Sequence, residues 1–212
     1  MIDFAIYLIT DGDLPTLPAR VEAALAAMPV GCAAVQLRAK AAAGRELLEL
    51  ATVLRRITRA RGSRLFVNDR VDVALAAGAD GVQLPELGFP VERVRAMAPG
   101  LLVGASRHDL DGASQAARQG AHFVTLGPVW ATPSKPGFEP TMGIERLAAA
   151  ARALAVPVFA LGGVDDVARV VACRSVGARV ACLRAVLGAR SPSEEARAFA
   201  EAMGFVDVTG AG

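Results

Sequence analysis

The sequence predicts a single (β/α)8 TIM barrel over residues 1–212: eight parallel strands closed into a ring, with helices outside. Three observations predict it. First, short runs rich in Val, Ile, Leu and Phe alternate strictly with longer amphipathic or Ala-rich segments, eight times along the chain. A strand, a helix and a further strand in that order imply right-handed crossovers and a parallel sheet. Second, the strand candidates are apolar on both faces, as in Val158-Phe159-Ala160-Leu161, which a sheet covered on both sides requires. Third, one corner is rebuilt along the chain. Ala77-Gly78-Ala79-Asp80, Gln119-Gly120-Ala121-His122 and Val176-Gly177-Ala178-Arg179 each stop a helix, turn on glycine and enter a strand. Eight units leave about 26 residues each, compact for a barrel but sufficient. A doubly wound open sheet would carry a Gly-rich loop after its first strand, and Thr10-Asp11-Gly12-Asp13 has no such pattern.

The elements follow in order. Residues 5–10, Ala5-Ile6-Tyr7-Leu8-Ile9-Thr10, form the first strand, and residues 1–10 lack the basic stretch and cleavage site of a secretion signal. A helix near 16–28 leads to strand 33–37, and a long helix near 43–61 leads to strand 64–67. Asp69 stands where it can cap a helix over 70–77. Strand 80–84, helix 90–98, strand 101–105, helix 110–119 and strand 122–126 come next. His122 starts its strand, at the end of the barrel away from catalysis, and reads as structural. The loop 129–141 is longer than its neighbours, a mark of lids and binding loops. Helix 143–154, strand 157–161, helix 165–175 and strand 178–183 complete the ring. The last helix, 192–203, begins at Ser191-Pro192, with Pro in its first turn and Glu194 and Glu195 near its positive end. Residues 205–212 read as an irregular tail.

Composition narrows the function classes. The chain is 53% hydrophobic, too apolar for disorder, with a mean hydropathy of +0.40. No run of about 18 residues is free of charge or turn residues, so no membrane span is expected. A net charge of +2 sets up no field for nucleic acid or a membrane surface. Cys32, Cys173 and Cys182 are odd in number, widely spaced and without a CxxC pair, so they fit burial in a reducing cytoplasm. Of 23 basic residues only Lys40 and Lys135 are lysine.

In barrels of this kind the active site stands at the C-terminal ends of the strands. Polar residues gather there: Thr10 and Asp11, then Gln36, Arg38 and Lys40, then Asn68 and Asp69. Gln83, Glu86, Ser106 and His108 follow, then the 129–141 loop with Trp130, Thr132, Ser134 and Lys135, then Gly162, Gly163 and Arg184. Both lysines of the chain are in this set. Gln36, Arg38 and Lys40 alternate with apolar residues and so share a face, where two cations beside an amide suit a polyanion. Against that stands an ordinary solvated rim. Asp69 is a hard oxygen ligand that suits Mg2+ as well as a helix cap. Gly162-Gly163 is a turn whose bare N–H groups can cradle phosphate. Ser106 and His108 are not a hydrolase pair, because no nucleophile elbow surrounds them.

Taken together the motifs resemble the thiamine phosphate synthase and thiazole tautomerase family along nearly the whole chain. The residues that carry this are Tyr7-Leu8-Ile9-Thr10-Asp11, Gln36-Leu37-Arg38-Ala39-Lys40, Asn68-Asp69-Arg70-Val71-Asp72, Gly78-Ala79-Asp80-Gly81-Val82-Gln83-Leu84, Gly104-Ala105-Ser106-Arg107-His108, Gly127-Pro128-Val129-Trp130-Ala131-Thr132-Pro133-Ser134-Lys135 and Gly162-Gly163. The resemblance implies a transferase that joins hydroxymethylpyrimidine diphosphate to thiazole phosphate and releases diphosphate. It implies Gln36 on the pyrimidine, and Arg38, Lys40, Asn68 and Lys135 on diphosphate. It implies Ser106 under the reacting centre. It implies Thr132 and Ser134 on the thiazole phosphate, with the Gly163 backbone. Ser106, Lys135 and Arg38 would carry the chemistry, with Asp69 holding Mg2+.

The sequence departs from the family at five places. Ala39 replaces a usual Glu, Gln83 a usual His, and Gly88 a second metal-binding Asp, for which Glu86 is the substitute at hand. Arg184 stands where Ser is usual and is expected to reach a phosphate or to fill the pocket. Pro85-Glu86 is closer to the tautomerase branch, yet Pro128 stands where a tautomerase has His. A metal-free tautomerase-like enzyme and a catalytically silent phosphate-ligand binder therefore stay open beside the synthase. Small phosphorylated molecules are the expected partners, and a homo-oligomer is compatible with the sequence.

Overall fold

The computed structural model describes residues 2–11, 16–132 and 141–205. Its strands are β1 (Ile6–Ile9), β2 (Ala33–Leu37), β3 (Arg64–Asn68), β4 (Gly81–Leu84), β5 (Leu102–Arg107), β6 (Phe123–Leu126), β7 (Val158–Ala160) and β8 (Arg179–Cys182). They form a closed parallel barrel in chain order, with β1 pairing both β2 and β8. The helices are α1 (Leu17–Ala26), α2 (Gly44–Ala60), α3 (Val71–Ala76), α4 (Val91–Met97), α5 (Leu110–Arg118), α6 (Gly143–Ala153), α7 (Val167–Ser175) and α8 (Pro192–Ala202). The expected (β/α)8 alternation is therefore the fold.

Strand alternation sorts the apolar residues into two cores. Ile6, Leu8, Val35, Leu65 and Val67 point outward and pack with the helices. Tyr7, Ile9, Ala34, Phe66, Phe123, Phe159 and Ala181 point inward, where Phe4 joins them below β1. Phe4, Tyr7, Phe66, Phe123 and Phe159 are each at most 1% exposed, with neighbouring ring centroids 5.1–5.9 Å apart. Each such ring contributes about 1.5–3 kcal/mol of burial. Glycine on the adjoining strands makes the space: a Cβ at Gly81 would come within 2.4 Å of the Phe66 ring. Below the rings, Arg179 donates to the Ile2 and Phe4 carbonyls and lies over Phe159. Asp3 and Arg64 form a two-point ion pair there, with bonds of 2.8 and 2.6 Å.

Gly78, Gly120 and Gly177 turn with φ of 61°, 97° and 78°, left-handed values that a side chain would resist. Pro192 occupies the first turn of α8, as its fixed φ favours, although Ser191 makes no side-chain cap. Cys32, Cys173 and Cys182 are free and buried, and burial lifts the Cys32 thiol to about 11 and the other two to about 12. No described helix is long and apolar enough to cross a membrane.

Two expectations are corrected. Asp69 does not cap α3: Arg70 holds that position without a side-chain bond, and Asp69 lies in the turn before it with φ 63°. β5 runs two residues past the expected end, so Ser106 and Arg107 belong to the strand, opposite Thr125 and Leu126 of β6. Their polarity marks the barrel mouth and not a strand end.

Candidate active site

A cavity of about 790 Å³ opens at the C-terminal ends of the strands. It is lined by Gln36, Arg38, Lys40, Asn68, Asp69, Glu86, Ser106, Thr132, Gly162, Gly163 and Arg184. The described residues that the resemblance places on substrate or metal therefore face one space, while Thr10, Asp11 and Gln83 are not part of its lining. Ser134 and Lys135 lie outside the described residues.

β2 supplies the first wall. Gln36 ends the inward row of the strand, is 3% exposed, and donates from Nε2 to Asn68 Oδ1 at 3.0 Å. That bond orients both amides across the β2–β3 seam. Arg38 follows the strand, and Thr10 locks its backbone: the Arg38 N–H donates to Thr10 Oγ1 at 2.8 Å, and that hydroxyl donates to the Arg38 carbonyl at 3.2 Å. The guanidinium of Arg38 reaches Asp11 at 3.6 Å, and Arg184, from the loop after β8 on the other side of β1, reaches the same carboxylate at 3.1 Å. Asp11 thus gathers two cations, from β2 and from the loop after β8, at the rim. Lys40 is exposed on the same lip.

β3 and β4 supply the second wall. The Asp69 N–H donates to the Gln83 carbonyl, while Arg70 N–H turns back to Asn68 O at 2.7 Å. This tight reversal forces Asp69 into the left-handed region, which Asp tolerates better than most residues. A Cβ at Gly88 would sit 2.9 Å from Asp69 Oδ1. Position 88 is thus beside Asp69. Glu86 enters the same cavity, but its carboxylate faces His108 Nε2 at 3.4 Å. His108 Nδ1 meets the Gly127 carbonyl. Among the described residues no three His, Cys, Asp or Glu side chains gather as a metal cluster. The donor set still fits Mg2+, which commonly takes one or two carboxylates and completes its shell with water and phosphate oxygens.

The last wall comes from the loops after β6 and β7. Gly162 and Gly163 have φ of 90° and 69°, and a Cβ on them would press within 2.6 Å of Pro128 and 2.7 Å of Trp130. The two loops interlock, with Val129 N–H on Leu161 O and Trp130 N–H on Gly162 O. Arg169 fastens them from behind: its Nη1 donates to the Gly163 carbonyl at 2.6 Å and its guanidinium lies 5.4 Å from the Trp130 ring.

Sequence reasoning gave no role to Arg107, Thr125 or Arg169. Arg107 lines the cavity and donates to the Ser106 carbonyl at 2.7 Å, and burial lowers its pKa. Its signal was the position after Ser106, masked by ending the strand too early. Arg169 has no local signal, because its partners lie on two other loops.

Residues 6–186 match the family model for thiamine monophosphate synthase. A putative thiamine-phosphate synthase of Geobacter sulfurreducens is 46% identical over 201 residues, covering 93% of each chain. The thiamine-phosphate synthase of Pyrococcus furiosus is 38% identical over 200 residues, covering 92% of this chain and 94% of that one. The solved thiamine phosphate pyrophosphorylase from Pyrococcus furiosus superposes with a TM-score of 0.85 at 33% identity, over 95% of this chain and 96% of that one. A 3-hexulose-6-phosphate synthase, with a TM-score of 0.68 at 22% identity, shares the fold alone. Matched over most of its length by the family model and by relatives of similar length, this chain belongs to the thiamine monophosphate synthase family.

Proposed function

We infer that the chain is a thiamine phosphate synthase. It joins hydroxymethylpyrimidine diphosphate to thiazole phosphate and releases diphosphate. The observation that carries the reading is the convergence of Gln36, Arg38, Lys40, Asn68, Asp69 and Ser106 on one cavity, within a chain of this family.

In the reaction the bond from the pyrimidine methylene carbon to the diphosphate oxygen breaks, and its electron pair leaves with diphosphate. The lone pair of the thiazole nitrogen then closes on that carbon. The residues act on the charge that moves. Arg38 and Lys40 neutralise the departing diphosphate, with Asn68 donating to it and Lys135 adding a cation. Fixed cations aimed at a growing charge lower the barrier without reorganising at the moment of reaction. Gln36 orients the pyrimidine edge. Ser106 stands beneath the reacting carbon, and Thr132, Ser134 and the Gly162-Gly163 turn take the thiazole phosphate. Arg184 adds charge at the rim. Asp69 would hold Mg2+, with Glu86 as a second carboxylate within the same cavity. When bound, the ion would supply charge neutralisation on the leaving group.

The test is a synthase assay on the purified protein with both substrates, with and without Mg2+. Thiamine phosphate and free diphosphate are expected in equal amounts, and a chelator should suppress both. No thiamine phosphate with Mg2+ present sinks the reading. Metal-free conversion of a thiazole carboxylate phosphate tautomer would move it to the tautomerase branch.

A further inference from the structure

We propose that Gln83 is a positioning residue: its buried carboxamide fixes the Ser106 hydroxyl as a hydrogen-bond donor into the cavity. The proposal rests on the synthase reading of that cavity.

Gln83 does not line the cavity and is fully buried, as is Tyr7 beneath it. Tyr7 Oη donates to Gln83 Oε1 at 3.3 Å. With the phenol proton on Oε1, both amide hydrogens are free for the opposite side. The Nε2 end faces up, and its two hydrogens go to Ser106 Oγ at 2.9 Å and Thr125 Oγ1 at 3.2 Å. Thr125 in turn donates its hydroxyl proton to Ser106 Oγ at 2.9 Å. Ser106 Oγ therefore accepts two hydrogen bonds, which fill both of its lone pairs. Its own proton is left for the cavity side, toward an acceptor on the bound substrate.

The strand register builds this arrangement. Gln83 pairs with Gly104 on β5, and Ser106 lies two residues further along the same face, opposite Thr125 of β6. A Cβ at Gly104 would stand 2.2 Å from Gln83 Oε1, so only glycine leaves the amide its space. A buried amide with every hydrogen bonded is a fixed orienter, since flipping it would leave one N–H without an acceptor, Tyr7 Oη taking only the other.

Gln83→Glu tests the polarity with little change of shape. A carboxylate has no N–H to give, so Ser106 and Thr125 would turn their protons toward it. The expected result is a kcat lower by about a hundredfold, the scale of losing one oriented donor, with KM for both substrates within about threefold. The loss should shrink as pH falls, because a protonated carboxyl regains one donor. Ser106→Ala should cost about as much, and adding it to Gln83→Glu should cost little more. If Gln83→Glu fails to fold, Thr125→Val decides: it removes one of the two bonds to Ser106, so kcat should fall about tenfold in a folded protein whose thermal midpoint is lowered by the N–H left unpaired on Gln83. A folded Gln83→Glu protein with wild-type kcat, or losses that simply add in the double variant, overturns the proposal. A wild-type protein that makes no thiamine phosphate overturns the synthase reading itself and this inference with it. An active wild type with an indifferent Gln83→Glu sinks only the inference.

Discussion

The barrel interior changes chemistry along its axis. Toward the N-terminal ends of the strands, Phe4, Tyr7, Phe66, Phe123 and Phe159 fill the ring with packed aromatic faces. Toward the C-terminal ends, the same inward rows present Gln36, Gln83, Ser106 and Thr125 below an open cavity. Tyr7 joins the two halves: its ring belongs to the aromatic layer and its hydroxyl belongs to the polar one. The lesson is a division of labour. The lower half holds the strands at fixed spacing, and the upper half can then carry groups that cost stability, such as clustered cations and a left-handed Asp.

Breaking the lower half should have the largest effect. Phe123 touches Phe4, Tyr7, Phe66 and Phe159 and is fully buried. Phe123→Ala should cost about 3–5 kcal/mol in urea denaturation, the range for truncating a packed aromatic. Any folded fraction should bind diphosphate with unchanged affinity, since Phe123 does not line the cavity. A loss under about 1 kcal/mol would mean that the rings are not the main interior support.

The upper half should break the other way. Asp69→Asn keeps a residue type that tolerates a positive φ, so the fold should hold while the rate falls at least about tenfold. Lys135→Ala should cost at least about tenfold in rate as well. Asp69→Gly should separate stability from function most clearly. It relieves a left-handed side chain and should raise stability by about 0.5–1 kcal/mol while activity is lost. An Asp69→Gly protein that is both less stable and active would remove the metal role and the strain together.

Much of this contrast was legible in the sequence. The ring could be read because eight apolar runs kept one order, and the site because polar residues recurred after nearly every run. What failed was local and conformational. Asn68-Asp69 suits a helix cap and a left-handed turn equally well, and residue type does not carry the sign of φ. Ser106-Arg107 is polar, so period alone ended β5 early, whereas the pairing with β6 extends it. The Tyr7–Gln83–Ser106–Thr125 network draws on four strands, and no window of sequence contains it. Gln83 was visible as a polar residue at the barrel mouth and as a departure from the usual His, without a reason for either. The register supplies the reason, because Gly104 opens the space in which its amide lies.

The smallest expected effect lies outside both halves, at His122, which sequence position already set apart from catalysis. Its Nδ1 accepts the Val103 N–H at 2.8 Å, so the folded protein needs the ring neutral. Burial, and then the charge of Arg95, hold its pKa below the ordinary 6.5. The unfolded chain therefore takes up the proton first. Stability from this group is complete above about pH 6.5 and falls as the pH drops through the window below it, levelling once the folded ring also protonates. His122→Gln keeps an acceptor for Val103 and removes the titration. Urea midpoints measured from pH 7.5 to pH 5 should decline less steeply in this variant than in the wild type, with kcat at pH 7.5 unchanged. Equal slopes would take the acid sensitivity of this window away from His122; Asp72, which Arg70 holds down at about 2, gives up its contribution only at lower pH, below its ordinary carboxylate value.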